Sequence, residues 1–177
     1  LEVTRIESHA LYLNKKRFDL KKLVLSLVDE FQHNASLLPG TYKGSEVIYN
    51  KFTEDFSKVS TEDVLFVIAD EERITEVLLN LLDNAAKFTK GGQISVTISK
   101  DNVRHQLLIS VKDTGFGVPP EIKSRLFTKF ASKSSGGTGL GLFISKSIIE
   151  AHGGKIWFEE NMDASGATFR FSIPLLE

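Results

Sequence analysis

Apolar residues at Ile74, Val77, Leu78, Leu81, Leu82 and Ala85 follow the i, i+3, i+4, i+7 repeat of an amphipathic helix packed on a core. Asp70 precedes this run with Arg73 three residues on, so Asp70 is placed to cap the helix while Glu71 and Glu72 favour its positive dipole end. A second, polar stripe borders the first. Glu76, Asn80, Asn84 and Lys87 are spaced 4, 4 and 3, which stacks the two asparagine Cα atoms about 6 Å apart along the axis. A carboxamide in such a position can offer its oxygen to a hard cation and its NH2 to a phosphate, or it can be a solvated helix flank.

Elsewhere the spacing predicts alternating blocks of helix and strand. Val3, Ile6, Ala10 and Leu13 fall on one stripe and read as the end of a longer helix. A polar Lys15-Lys16-Arg17 tract leads to Asp19, a candidate cap for a helix with Leu20, Leu23, Val24, Leu27, Val28 and Phe31 on its apolar face, ending before Pro39-Gly40. The stretches EVIYNKF and DVLFVIAD read as strands, the second apolar enough to lie centrally in a sheet. After the asparagine helix come a Gly91-Gly92 turn and the strands QISVTIS and QLLISVKD around the turn-like Lys100-Asp101-Asn102. A connection from Thr114 to about Thr138, rich in Gly, Ser and Lys, has the length of a binding loop or lid. A helix from about Gly139 to His152 ends at Gly153-Gly154, and KIWFEE and ATFRFSIPL form a closing hairpin pair. This order predicts an α/β two-layer sandwich with helices packed on one face of a mixed, largely antiparallel sheet. The other face is then partly solvated or meets another domain.

Composition narrows the partners. The 177 residues suit one domain that buries roughly 70% of its extended surface. With 22 basic and 23 acidic residues spread along the chain, there is no footprint for nucleic acid and no anchor for an anionic membrane surface. The chain has no cysteine, which removes thiolate nucleophiles and thiolate metal sites and fits a reducing compartment. No apolar run approaches the ~20 residues of a membrane span, and no signal peptide opens the sequence.

Two glycine clusters carry candidate chemistry. Asp113-Thr-Gly-Phe-Gly117 follows a strand directly, so the carboxylate can be held at the strand end while the glycines let backbone approach a ligand; a tight turn containing an aspartate is the simpler alternative. Ser134 to Leu142, SSGGTGLGL, leads into a helix N-terminus, whose unpaired N–H groups and dipole suit an anion. The cluster is not a P-loop, because Gly141 is followed by Leu142-Phe143 in place of Lys-Ser/Thr. Its glycine spacing departs from the dinucleotide fingerprint, and Asp113-Thr-Gly is not the Asp-Phe-Gly of Ser/Thr kinases.

Taken together, an N-x-x-x-N helix, D-x-G-x-G after a strand and G-T-G-L-G-L before a helix resemble, in this order, the N, G1 and G2 boxes of the ATP-binding domain of sensor histidine kinases, a Bergerat-type fold. Phe127 and Phe130 resemble that family's F box. The resemblance covers about residues 17–177, the catalytic ATP-binding domain, and leaves 1–16, with its TRIES stretch, similar to the tail of a dimerisation helix and its linker. It implies ATP and Mg2+ as ligands, with Asn84 as metal ligand, Asn80 beside it, Lys87 on phosphate and Asp113 on the exocyclic amine of adenine. Thr168 would support Asp113 through water, Gly115 and Gly117 would pass under the base, and Gly137, Thr138, Gly139, Leu140 and Gly141 would form the hinge and phosphate-facing turn. A lid between about Pro119 and Gly136 would close over the nucleotide and bring Lys133 to the γ-phosphate, making Asn80 and Lys133 the expected catalytic pair.

The same resemblance implies phosphoryl transfer to a histidine on a dimerisation domain and a response-regulator receiver as the next partner, in the cytoplasm, from a fragment that is itself a monomer and touches no membrane, although its parent can be anchored there. None of His9, His33, His105 and His152 stands in the S-H-E-L-R-like setting of that family's phosphoacceptor. Relatives of the gyrase, chaperone and mismatch-repair type carry a general-base glutamate four residues before the metal-binding asparagine. That position is Asn80 here, and a carboxamide cannot take a proton, so transfer is favoured over hydrolysis. A protein-serine kinase of the superfamily and a scaffold without nucleotide chemistry are the remaining alternatives.

Overall fold

The computed structural model describes residues 11–37, 46–49, 64–131, 138–161 and 166–175. In chain order these form β1 (Lys16–Asp19), α1 (Leu20–Leu37), β2 (Glu46–Tyr49), β3 (Phe66–Ala69), α2 (Glu71–Phe88), β4 (Gln93–Asp101), β5 (Gln106–Asp113), the single turn α3 (Pro120–Lys123), α4 (Gly141–Ala151), β6 (Ile156–Glu160) and β7 (Ala167–Pro174). The main sheet has the order β2-β4-β5-β7-β6, antiparallel throughout except for the parallel β2–β4 pair. The mixed, largely antiparallel sheet and its one-sided helical cover match the reading of the sequence.

Strand alternation assigns the faces. Ile94, Val96 and Ile98 of β4 stand beside Asp113, Val111 and Ile109 of β5, and Ile109 and Val111 stand in turn beside Phe171 and Phe169 of β7. All are buried and meet the apolar stripes of α1, α2 and α4 in one core. Asp113 therefore occupies a position on the core face of the sheet that pattern alone would give to an aliphatic side chain. The opposite face carries Ser95, Thr97, Ser99, Ser110, Lys112 and Arg170, the polar partners of the same alternation.

The α2 prediction holds in detail. Ile74, Val77, Leu78, Leu81, Leu82 and Ala85 are buried, and Asp70 caps the helix, its Oδ1 accepting from the Arg73 N–H at 3.2 Å. Asp19 likewise accepts from the Lys21 N–H at 3.1 Å at the start of α1.

Two expectations need correction. DVLFVIAD is not a central strand: among the described residues β3 pairs with β1 alone, in a separate two-stranded sheet, and Phe66 and Ile68 are exposed while Val67 and Ala69 are buried. Its unbroken apolar run hid a half-buried strand. The polar Lys-Lys-Arg tract, for its part, is strand at Lys16 and Arg17, because extended backbone pairs with β3 and the Arg17 guanidinium lies 3.9 Å from the centre of the Phe66 ring. Of the stretch read as helix tail and linker, residues 1–10 lie outside the described part; the Asn14 N–H donates to Asp70 Oδ2 at 2.8 Å, and Lys16 pairs with Ala69.

Candidate functional site

A cleft of about 450 Å³ opens at the end of the core where β5 stops, walled by α2 on one side and by the start of α4 on the other. Asn80, Asn84 and Lys87 line it from α2, Asp113 and Gly117 from the end of β5 and its loop, and Thr138, Gly139, Gly141 and Leu142 from the approach to α4. Ile122, Leu126, Ala167 and Phe169 supply an apolar lining, so the cleft combines an apolar slot with a few convergent polar groups. A second groove of about 480 Å³ runs on the outer side of the α2–α4 contact, where Glu72, Glu76 and Asp83 set a negative field opposed to any phosphate.

Asp113 is buried, and its surroundings hold one oxygen in place. Oδ1 accepts from the Gly115 N–H at 2.9 Å and the Ala167 N–H at 3.3 Å. Burial pushes the carboxyl above the usual range, and these two backbone donors pull it part of the way back. The backbone is fixed too: the Asn161 amide donates to the Asp113 carbonyl at 2.8 Å, and the Thr168 hydroxyl donates to Asn161 Oδ1 at 2.7 Å. Thr168 thus reaches Asp113 through a buried carboxamide and is absent from the cleft lining.

Glycine is required where this loop meets its neighbours. A Cβ on Gly166, at φ +72°, would collide with the Asp113 carbonyl, and one on Gly115 would collide with the Phe88 carbonyl, which accepts from the Phe116 N–H at 3.3 Å. Gly115 therefore packs the loop against the end of α2, while Gly117 faces the cleft.

Asn80 and Asn84 are half-buried, as their stripe predicts, and they differ in use. Asn80 Nδ2 donates to the buried Ser145 hydroxyl on α4 at 2.9 Å, and its Oδ1 occupies the space a Cβ on Gly141 would take. Asn80 is thereby a contact between the two walls, while Asn84 and Lys87, one and two turns on, face the cleft. Among the described residues no side chain caps the N-terminus of α4, whose first residue, Gly141, opens on the same space. Thr138 Oγ1 accepts from the Leu140 N–H at 3.4 Å, and Gly139, at φ +66°, lies against the Phe130 backbone. Leu140 itself is not in the lining.

The two phenylalanines separate. Phe127 packs edge-on against Phe169 with ring centres 6.4 Å apart, whereas Phe130 is 71% exposed at φ 60°. Lys133 and Gly137 lie outside the described residues. Sequence reasoning missed Asn161, Gly166 and Ser145: each acts through a partner far along the chain, and only Gly166, a glycine just before a strand, left a local signal.

Comparison with known proteins agrees with this geometry. Residues 69–177 match the family of Histidine kinase-, DNA gyrase B-, and HSP90-like ATPases. The whole chain is 29% identical to the sensor histidine kinase WalK of Bacillus subtilis and spans 28% of its length. Among solved structures, full-length ShkA in complex with AMPPNP superposes with a TM-score of 0.78 at 28% identity, over 98% of this chain and 34% of that one. The catalytic domain of histidine kinase ThkA gives 0.72 at 31% identity, over 91% and 95%, and ThkA with its response regulator protein TrrA gives 0.71 at 29%, over 99% and 46%. An Asp at the end of β5, an N-x-x-x-N helix and a glycine-led α4 around one cleft thus coincide with a family match over most of the chain: it belongs to the histidine kinase-, DNA gyrase B- and HSP90-like ATPases, as a domain of the sensor histidine kinase catalytic type.

Proposed function

We propose that the cleft binds ATP with Mg2+ and presents the γ-phosphoryl group to a histidine on a dimerisation domain of the parent kinase, with a response-regulator receiver as the next acceptor. The observation that carries this reading is Asp113, a carboxylate buried on the apolar floor of the cleft and oriented by the Gly115 and Ala167 N–H groups. With Oδ1 taken up by those donors, Oδ2 is the acceptor that remains for the exocyclic amine of adenine; guanine, with a carbonyl there, would face it with repulsion. Ile122, Leu126 and Phe169 would hold the base.

Magnesium fits the donor set. Asn84 offers a carboxamide oxygen, and Mg2+ ordinarily completes its shell with phosphate and water. Lys87 and the uncapped N-terminus of α4 supply positive charge toward the phosphates, the positioning and neutralisation that phosphoryl transfer requires. Asn80 would act by holding the walls together, Gly137, Thr138 and Gly139 would form the hinge and the turn under the phosphates, and Lys133 would belong to the lid. We place the domain in the cytoplasm as a monomer.

Hydrolysis by the chain itself has less support. The general-base position holds Asn80, engaged with Ser145, and Glu76, a turn earlier, pairs with Arg73 at 2.8 Å on the outer side. Calorimetric titration of ATP and GTP, with and without Mg2+, tests the reading. ATP should bind over GTP in a magnesium-dependent manner, Asp113→Ala should lose ATP, and Asn84→Ala should lose the magnesium effect. Unchanged binding in both variants would move the site elsewhere.

A further inference from the structure

The helices that wall the cleft are fastened to each other twice. Near the cleft, Asn80 of α2 meets Ser145 of α4. At the far end, the Asp70 N–H, at the cap of α2, donates to His152 Nε2 at 2.9 Å, and His152 Nδ1 meets the Ile148 carbonyl of its own helix at 2.8 Å. The two contacts are ten residues apart on α2 and seven on α4, about 15 Å and 10 Å along antiparallel axes. Two separated points fix both the slide and the rotation of one helix against the other, which one point cannot.

The second fastener has a defined protonation state. A backbone N–H must donate, so Nε2 carries the lone pair and Nδ1 the proton, the one neutral tautomer that satisfies both neighbours. A doubly protonated ring would set N–H against the Asp70 N–H and break the contact. We propose that His152 is a positioning residue for nucleotide binding, whose neutral Nδ1–H form holds α2 and α4 in the register the cleft needs and whose protonation releases it. The proposal rests on the cleft being the ATP site.

The surroundings agree. Burial holds the imidazole below its ordinary range; the Ile148 carbonyl works against this, Lys15, in the stretch before β1, adds to the lowering, and the Asp70 carboxylate opposes it. Among the described residues, Asp70 and Lys15 are the charged groups that act on the ring from outside its own helix. The Asp70 carboxylate also receives the Asn14 N–H at 2.8 Å, so the stretch before β1 ends on the same fastener.

The test compares wild type, His152→Gln and His152→Ala. Glutamine can accept from Asp70 and donate to Ile148 without titrating. At pH 7.5, His152→Ala should bind MgATP about 2- to 30-fold more weakly, while His152→Gln stays near wild type. As the pH falls from 7.5 to 5.5 the ratio of His152→Gln to wild-type affinity should rise, since protonation of ATP itself affects both alike. A nucleotide-free arm is read by NMR: the Asn80 side-chain amide in wild type should shift with the same midpoint as the His152 ring and stay still in His152→Gln. An Asn80 signal blind to the His152 titration, or equal pH profiles in wild type and His152→Gln, would overturn the inference. If wild type binds no ATP while Asn80 still tracks His152, the coupling stands and the ATP assignment of the cleft falls.

Discussion

Gly141→Ala adds one methyl group where the cleft walls meet. The new Cβ would fall on the Asn80 carboxamide, colliding with Oδ1 and lying 2.9 Å from Cγ and 3.1 Å from Nδ2. Overpacking of this kind costs about 1–3 kcal/mol. If the carboxamide moves aside, the Ser145 hydroxyl, 2% exposed, loses its partner at a further ~1–3 kcal/mol. Alanine returns at most about 1 kcal/mol of helix propensity. The net loss is about 2–4 kcal/mol, a fall in Tm of about 5–15 °C for a domain of this size, measured by thermal unfolding without nucleotide. Asn80→Ala alone should lose ~1–2 kcal/mol. Because it also vacates the space the methyl needs, Asn80→Ala/Gly141→Ala should be no less stable than Asn80→Ala, a coupling as large as the Gly141→Ala loss itself, about 2–4 kcal/mol in a double-mutant cycle. Additive losses, or an unchanged Tm in Gly141→Ala, would refute the contact as the basis of the argument.

Asp113→Asn keeps an oxygen for the Gly115 and Ala167 donors and removes a charge that burial disfavours, so the nucleotide-free domain should gain up to about 1 kcal/mol in urea unfolding while ATP affinity drops. Asn161→Ala strands the Asp113 carbonyl and the Thr168 hydroxyl together and should lower stability by about 2–4 kcal/mol, with loss of ATP-over-GTP preference in calorimetry. The His152 ring titrates lower in the folded chain than in the unfolded one, so its contribution is fully present above the ordinary value of 6.5 and is lost as the pH falls toward the folded value. Urea midpoints from pH 7.5 to 5.5 should therefore decline more steeply in wild type than in His152→Gln, by at most about 1.4 kcal/mol per pH unit.

The legible parts of the fold were those whose signal is local. The α2 stripe, its Asp70 cap and the β4–β5 hairpin need only near neighbours, and periodicity found them. The strand character of Lys16 and Arg17 comes from pairing with β3, and β3 looked central because Val64 to Ala69 is apolar on both faces although one face is open. At the site, spacing singled out Asn80, Asn84, Lys87 and Asp113, which line one cleft. It could not separate the packing task of Asn80 from the ligand-facing position of Asn84, because that distinction rests on Ser145, 65 residues away. The contact made by His152 left no local signal for a like reason: its partner, Asp70, is 82 residues distant.

Asp113 takes an aliphatic position on the core face of the sheet, beside Ile94 and two residues beyond Val111, and the apolar layer stops there. The cleft is in that sense an unfinished piece of the interior, and whatever flat apolar group enters it serves as the side chain the sheet omitted. Ligand concentration then becomes a variable of folding: a ligand at 100 times its Kd adds about 2.7 kcal/mol to the stability of the native chain. Depleting the ligand would withdraw that stabilisation and empty the cleft by the same event.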